Sequence, residues 1–217
     1  TRRDLLDLVP VSPDKVSVVH LGFNQLSDIR QKALPGSSHI EGPFLLFVGE
    51  RGHYKNFKGL LQAYASSNWL TNNFSIVCVG GGRLQGNELE LMRELGISSS
   101  KVNQINATDD MLAEYYKNAA AFIYPSRYEG FGIPSLEAMS SGCPVVCSNT
   151  GSMPEVVGNA GAYFDPESID SIRETIEHVL ESNEQRELLV QRGFKRSSEF
   201  SWERCAAETL EIYRSLF

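Results

Sequence analysis

Short apolar runs alternate with amphipathic stretches along most of the chain after residue 43. The runs are rich in Val, Ile and Phe and are bounded by glycine or proline, which is typical of buried strands. The stretches between them carry apolar residues at helical spacing. Repeated strand–helix units of this kind predict an α/β fold, a doubly wound parallel sheet with helices on both faces. The predicted strands span 44–49, 74–82, 101–105, 121–126, 144–148 and 162–164.

Capping residues support the predicted helices. Thr108 is an N-cap candidate, and Asp109 and Asp110 follow it in the first turn, where the helix dipole favours anions. Pro134 suits the first turn of a helix that Gly142 ends. The predicted helices span 57–67, 87–95, 109–120, 134–142, 168–182, 184–198 and 201–216.

The first 43 residues have a different pattern. Residues 15–23, "KVSVVHLGF", predict one strand, and the polar stretch 24–43 with its Pro and Gly predicts a linker or loop. We therefore divide the chain into a lead-in segment and linker (1–43), a main α/β domain (44–200) and a C-terminal helix (201–217).

Composition excludes some classes of function and location. The net charge of −7 and the pI of about 5.2 argue against a general nucleic-acid binder. No run of 18 apolar residues is present to predict a transmembrane segment. The four scattered cysteines suit reduced thiols in the cytoplasm. Peripheral association of a full-length protein with the inner face of the membrane stays open.

Parallel sheets bind ligands at the carboxyl ends of their strands, so the chemistry should follow residues 48, 79, 105, 124 and 148. Gly49, Arg51 and Lys55 follow the first strand, and the two cations suit a diphosphate near a helix N-terminus. A solvated pair of surface cations is the alternative. Gly81 lies in a glycine turn after the second strand, which lacks the Gly-x-Gly-x-x-Gly pattern of a dehydrogenase.

The stretch "SRYEGFGIPSLEAM" (126–139) places Glu129 and Glu137 eight positions apart. On one helix they would be about 12 Å apart, too far for a glycosidase pair at about 5–9.5 Å. With the helix starting near Pro134, Glu129 lies in a loop, and Gly130 and Gly132 expose backbone N–H groups. This suits a nucleoside-diphosphate sugar, with hydroxyls at both ends and phosphates between. A solvated loop glutamate and a helix-surface glutamate are the alternative.

With these motifs, the span from Phe44 to Phe217 closely resembles the donor-nucleotide domain of the "group 1" retaining glycosyltransferases of the two-domain GT-B fold. The matching stretches are "FVGERGHYKNFKGLLQAY", "IVCVGGG", the segment 121–166 around the Glu-x7-Glu motif, and "FSWERCAAETLEIYRSLF". The resemblance implies a Rossmann-like, nucleotide-sugar-binding domain, the C-terminal half of a GT-B enzyme.

The resemblance also implies residue roles. Glu129 would contact the hydroxyls of the transferred sugar, and Glu137 would bind the ribose. Arg51 and Lys55 would stabilise the leaving diphosphate, which makes Glu129, Arg51 and Lys55 the catalytic set. The donor-binding residues would be Gly49, Arg51, Lys55, Gly81, Glu129, Gly130, Phe131, Gly132, Ile133 and Glu137.

The implied reaction moves a hexose, mannose or glucose, from a GDP- or UDP-linked donor to an acceptor hydroxyl, with retention by same-face attack. No cofactor is expected, and no Asp-x-Asp metal motif is present in the sequence. The acceptor, a saccharide or lipid-linked saccharide, would bind an N-terminal domain that this chain lacks, so we expect little transfer by the chain alone. A non-catalytic nucleotide-sugar-binding module and a GT-B sugar-nucleotide epimerase are the alternatives.

Overall fold

The computed structural model describes residues 2–25, 40 and 42–216. The described residues form a six-stranded, all-parallel sheet with helices packed around it, in the order β3-β2-β1-β4-β5-β6. The predicted α/β fold class is confirmed. The strands are β1 (Phe44–Val48), β2 (Ser75–Val79), β3 (Val102–Ile105), β4 (Ala121–Tyr124), β5 (Val145–Ser148) and β6 (Gly161–Phe164).

The strand order reverses next to the central strand β1. From β1 the chain builds outward through β2 to the β3 edge, then returns to place β4 on the other side of β1 and continues to β6. The loops that follow β1 and β4 therefore leave the sheet in opposite directions and open a crevice at its carboxyl edge. Ligands of doubly wound sheets bind at such a reversal.

Both faces of the sheet are buried. Alternate residues of β1 point to opposite sides, so that Leu46 packs in one apolar cluster and Phe47 in the other. All five residues of β1 are buried, which explains why this strand is an unbroken apolar run in the sequence.

The helices agree with the capping residues predicted for them. The Thr108 side chain accepts a hydrogen bond from the Met111 N–H at the start of the helix over Asp109–Asn118. Serine caps the last three helices in the same way. The helices are α1 (Arg2–Leu8), α2 (Phe57–Ala65), α3 (Asn68–Asn73), α4 (Gly86–Glu94), α5 (Asp109–Asn118), α6 (Ile133–Ser140), α7 (Met153–Val157), α8 (Ile169–Glu181), α9 (Asn183–Ser197) and α10 (Trp202–Arg214).

The strand predicted at residues 15–23 is wrong. Pro13–Lys15 forms a 3-10 turn, and residues 16–25 belong to no helix or strand. This segment packs across the start of α10 instead of beside a strand. Gly22 lies so close to Trp202 that a Cβ on it would come within 2.2 Å of the Trp202 nitrogen. Only Gly22 and Phe23 are buried among residues 15–23, and Val18 and Leu21 are 49% and 41% exposed, so the alternating pattern does not mark a buried face. The predicted linker falls mostly on residues 26–39 and 41, outside the described residues.

Candidate functional site

Lys55 and Glu129 meet at the crevice between the loops that follow β1 and β4. Lys55 Nζ lies 2.6 Å from Glu129 Oε1 and 3.2 Å from the Tyr124 hydroxyl oxygen. The two charged side chains are only 14% and 10% exposed. A short ion pair with so little solvent is held firmly and places a cation and a carboxylate side by side.

Tyr124, the last residue of β4, forms the floor beneath this pair. Lys55 Nζ lies 5.2 Å from the centroid of its ring. Burial raises the pKa of Tyr124 far above its ordinary value, and the charges of Glu129 and Glu137 raise it further. The Tyr124 hydroxyl therefore stays neutral, and both carboxylates of the motif lie near enough to affect it.

The glycine turn between the two glutamates starts α6. Gly132 is the N-cap of α6 with φ 96°, and a Cβ there would lie 2.2 Å from Met153 Cε. Only glycine combines that backbone conformation with that packing. The turn confirms that Glu129 lies in a loop and Glu137 on the helix, as predicted from Pro134.

Glu137 projects from α6 toward α5. Its Oε2 accepts a hydrogen bond of 3.1 Å from the Tyr116 hydroxyl. Burial raises the pKa of Glu137, the Tyr116 hydrogen bond lowers it, and the nearby charge of Asp109 raises it again. A carboxylate has four lone-pair positions, so Glu137 retains acceptor capacity for a ligand hydroxyl.

Arg51 does not join Lys55 and Glu129. Its side chain is 3% exposed, and its Nε donates to Glu88 Oε1 at 2.8 Å. Its other nitrogens donate to carbonyls of the loop after β2, including those of Gly80 at 2.8 Å and Gly82 at 2.9 Å. Arg51 therefore clasps the loop after β2, and in this arrangement its guanidinium does not face the crevice as a free cation.

The predicted glycines differ in their surroundings. No atom lies within 4 Å of the position that a Cβ would take on Gly49, which has φ 114°. A Cβ on Gly81 would instead lie 2.7 Å from Arg51 Nη1. Gly49 is thus the glycine that leaves room for a ligand, whereas Gly81 makes room for the Arg51 clasp.

Phe131 and Ile133 turn their side chains into the protein. The Phe131 ring lies 6.1 Å from the His20 ring and 5.8 Å from the Phe200 ring, between centroids. Ile133 packs against the buried cluster on that face of the sheet. Any contact of these two residues with a ligand would therefore come from the backbone.

Sequence reasoning missed the loop after β5, which braces the glycine turn. Ser152 Oγ lies 3.0 Å from both the Glu129 and the Phe131 carbonyl oxygens. Thr150 Oγ1 donates to the Arg127 carbonyl at 2.9 Å. No local pattern marks these two hydroxyls, because their partners lie more than 20 residues earlier in the chain.

The structure also bears on metal and membrane binding. Over residues 2–25, 40 and 42–216, no group of three or more His, Cys, Asp and Glu side chains is arranged to hold a metal ion. In the same part of the chain, no helix is long and apolar enough to cross a membrane.

Comparison with known proteins adds the family to this geometry. The family model described as "Glycosyl transferases group 1" matches residues 31–196. The chain belongs to the group 1 glycosyltransferases. The resemblance identified from the Glu-x7-Glu motif is confirmed, and the matched residues include the crevice and both glutamates.

Among curated members of the family, two mannosyltransferases illustrate the similarity. The O-antigen chain mannosyltransferase B of Escherichia coli is 38% identical over 175 residues, which are 80% of this chain and 46% of that protein. The MMP alpha-(1->4)-mannosyltransferase of Mycolicibacterium hassiacum is 30% identical over 97% of this chain and 51% of its own. The chain thus spans about half the length of these relatives.

Solved glycosyltransferases of the GT-B type share the fold. The sucrose-phosphate synthase of Thermosynechococcus elongatus superposes on the whole chain with a TM-score of 0.80 at 26% identity, using 56% of its own chain. A glycosyltransferase from Rickettsia africae has a TM-score of 0.81 over 99% of this chain at 19% identity, and this likeness shows the fold alone. The expected GT-B architecture is confirmed for the described domain.

Proposed function

We propose that the chain is the donor-binding half of a retaining hexosyltransferase that uses a nucleoside-diphosphate sugar. The observation that carries this proposal is the Lys55–Glu129 pair at the reversal of the sheet, followed by Glu137 beyond the glycine turn. A cation beside one carboxylate, with a second carboxylate also near Tyr124, suits a ligand that is anionic in the middle and carries hydroxyls at both ends.

Each group has a proposed role. Glu129 accepts hydrogen bonds from hydroxyls of the transferred sugar, and Glu137 accepts them from the ribose. Lys55 contacts the diphosphate, and its hydrogen bond to Glu129 keeps both side chains in position before the donor binds. Backbone N–H groups at the glycine turn and the N-terminus of α6 add positive potential toward the phosphates.

The proposed reaction requires no nucleophile from the protein. The bond between the anomeric carbon and the diphosphate oxygen breaks while the acceptor oxygen bonds to the same face of that carbon. The acceptor proton passes to the departing phosphate oxygen. Lys55 and the amide dipoles stabilise the negative charge that develops there. Because Arg51 donates hydrogen bonds to the loop after β2, we propose that it supports that loop and does not contact the diphosphate directly.

The relatives favour a particular sugar. Two of the similar proteins are named mannosyltransferases, so we propose mannose as the transferred hexose, with a GDP- or UDP-linked donor. The buried, unpaired thiols of Cys78, Cys143 and Cys147 suit a reducing compartment, which supports a cytoplasmic location.

The acceptor half is proposed to lie against α10. Over the described part of this helix no residue is buried, and its large apolar side chains Trp202, Leu210 and Tyr213 are 45%, 47% and 60% exposed. Relatives about twice as long as this chain have room for a second domain. We propose that this domain, which would bind a saccharide or lipid-linked saccharide, covers the apolar face of α10.

Calorimetry with UDP-, GDP- and ADP-sugars tests the proposed function. The chain should bind at least one of them, and Glu137→Ala should weaken that binding by about 1.5–3 kcal/mol, roughly ten- to 150-fold, since it removes a charged acceptor of ribose hydroxyls. Glu184→Ala, at an exposed position on α9, is the matched control and should bind like the unchanged chain. An unchanged affinity in Glu137→Ala would contradict the ribose role, and failure of all three donors to bind would contradict the function.

A further inference from the structure

Ser152 holds two carbonyls of the glycine turn at once. It is 9% exposed, lies directly before α7 in the loop after β5, and its Oγ is 3.0 Å from the carbonyl oxygens of both Glu129 and Phe131. One hydroxyl hydrogen serves both bonds as a shared donor. The two peptide groups are thereby held with their carbonyls pointing to the same atom.

The direction of each carbonyl also fixes the direction of the N–H group in the same peptide. In a trans peptide the C=O of one residue and the N–H of the next point in opposite directions, and the described residues contain no cis peptide bond. The N–H of Gly130 is therefore directed opposite to the Glu129 carbonyl, and the N–H of Gly132 opposite to that of Phe131. Both N–H groups point away from Ser152.

The sheet order shows which side they face. The loop after β4 lies between the loops of β5, which carries Ser152, and of β1, which carries Lys55. Away from Ser152 is therefore toward the Lys55 side of the crevice. No residue in the described ranges accepts a hydrogen bond from either N–H. Apart from its chain neighbours, no atom lies within 4 Å of the Cβ position on Gly130, so there is space beside the backbone at this residue.

Neighbouring residues hold Ser152 in register with the turn. Gly151, with φ 61°, approaches so closely that a Cβ on it would lie 3.1 Å from the Glu129 nitrogen. Thr150 binds the Arg127 carbonyl at 2.9 Å. Residues 150–152 thus run alongside residues 127–131.

We propose that Ser152 is a positioning residue that aims the N–H groups of Gly130 and Gly132 at the diphosphate of the donor. The inference rests on the proposed function and adds to it a residue that touches no part of the ligand. Ser152 acts through the backbone, so its effect should fall on the phosphates and not on the nucleoside.

Calorimetry of Ser152→Ala with two ligands tests this directly. The probes are the nucleoside diphosphate of the preferred base and the corresponding nucleoside without phosphates. Ser152→Ala should weaken the diphosphate about five- to tenfold, the value of one or two ordinary hydrogen bonds, and should change nucleoside affinity less than twofold. Thr150→Val is the matched control. It removes a neighbouring hydroxyl that donates to the Arg127 carbonyl, outside the glycine turn, and both affinities should be unchanged.

A second measurement keeps the test decisive if Ser152→Ala lowers the stability of the chain. In ¹⁵N-labelled protein, the nucleoside diphosphate should shift the Gly130 and Gly132 amide signals downfield, and Ser152→Ala should reduce these shifts. Equal losses for nucleoside and diphosphate, or full diphosphate affinity with unchanged amide shifts, would overturn the role of Ser152. If the unchanged chain binds neither ligand, the proposed function fails, and the role of Ser152 fails with it.

Discussion

At the scale of single residues, the site contains a carboxylate that the fold alone would not favour. Glu137 is half-buried on α6, and burial is the main cause of its raised pKa. In the described part of the chain, the one hydrogen bond to its carboxylate comes from Tyr116. A carboxylate whose burial costs stability is typical of a functional site, where binding and stability make opposite demands.

Glu137→Gln should therefore stabilise the chain in a pH-dependent way. The folded state binds the Glu137 proton more tightly than the unfolded state, so the wild type loses stability as pH rises from about 4.5 through the raised pKa. Glutamine removes this loss, since it stays neutral and can still accept from Tyr116. Thermal unfolding should show a larger gain in Tm at about pH 7.5 than at about pH 4. An equal gain at both values would contradict a desolvated Glu137.

The local sequence does not show which groups Arg51 and Lys55 bind. Arg51 and Lys55 stand four positions apart and look equivalent in the sequence. Their surroundings separate them, because the carbonyls that bind Arg51 belong to residues about 30 positions later, and the carboxylate that binds Lys55 belongs to residue 129. Only the packing of two loops onto each other decides which cation faces the crevice.

At the scale of elements, the glycine turn connects strand, loop and helix. Its shape depends on Gly132, which begins α6 in a left-handed conformation against Met153. Gly130, two residues earlier, has open space at its Cβ position and no such backbone requirement. The two glycines of one motif thus have different roles, one in the backbone conformation and one in leaving the crevice open.

Gly132→Ala should destabilise the chain by about 1–3 kcal/mol, because alanine is strained at this φ and its methyl group would overlap Met153 Cε. Gly130→Ala is the matched control and should change the free energy of unfolding by less than about 0.5 kcal/mol. Urea unfolding of both variants measures the difference. Similar stabilities for the two variants would mean that the turn adopts another conformation.

The elements themselves were largely predictable from the sequence. Buried parallel strands appear as apolar runs because both of their faces are covered, so the predicted strands overlap all six observed strands, from Phe44–Val48 to Gly161–Phe164. The same apolar alternation at residues 15–23 misled, since most of those residues are not buried and no strand pairs with them. Short helices such as Asn68–Asn73 have too few turns to show a period.

For the whole molecule, the chain spans about half the length of two curated relatives, and the apolar face of α10 is uncovered. Trp202 is fixed at the start of this helix by its Nε1 bond of 3.1 Å to Asn24 Oδ1. The lead-in segment and α10 therefore meet at one point, and both are expected to lie beside the proposed acceptor half.

Substitution of Leu210 and Tyr213 by serine should separate the two proposed activities. Both side chains are exposed, so the free energy of unfolding and donor affinity of this chain should change little. Binding to a separately produced acceptor half should weaken, and sugar transfer by the mixed halves should fall with it. Gel filtration and transfer of labelled sugar measure the two effects. Undiminished association would place the acceptor half on another surface.

A crystal structure with a nucleoside-diphosphate sugar bound would test the proposed donor site most directly. We predict that the diphosphate lies within hydrogen-bond distance of Lys55 Nζ and of the Gly130 and Gly132 N–H groups. The sugar should lie at Glu129 and the ribose at Glu137. A nucleotide bound at another edge of the sheet, with the Lys55–Glu129 pair intact and Glu137 facing water, would contradict this prediction.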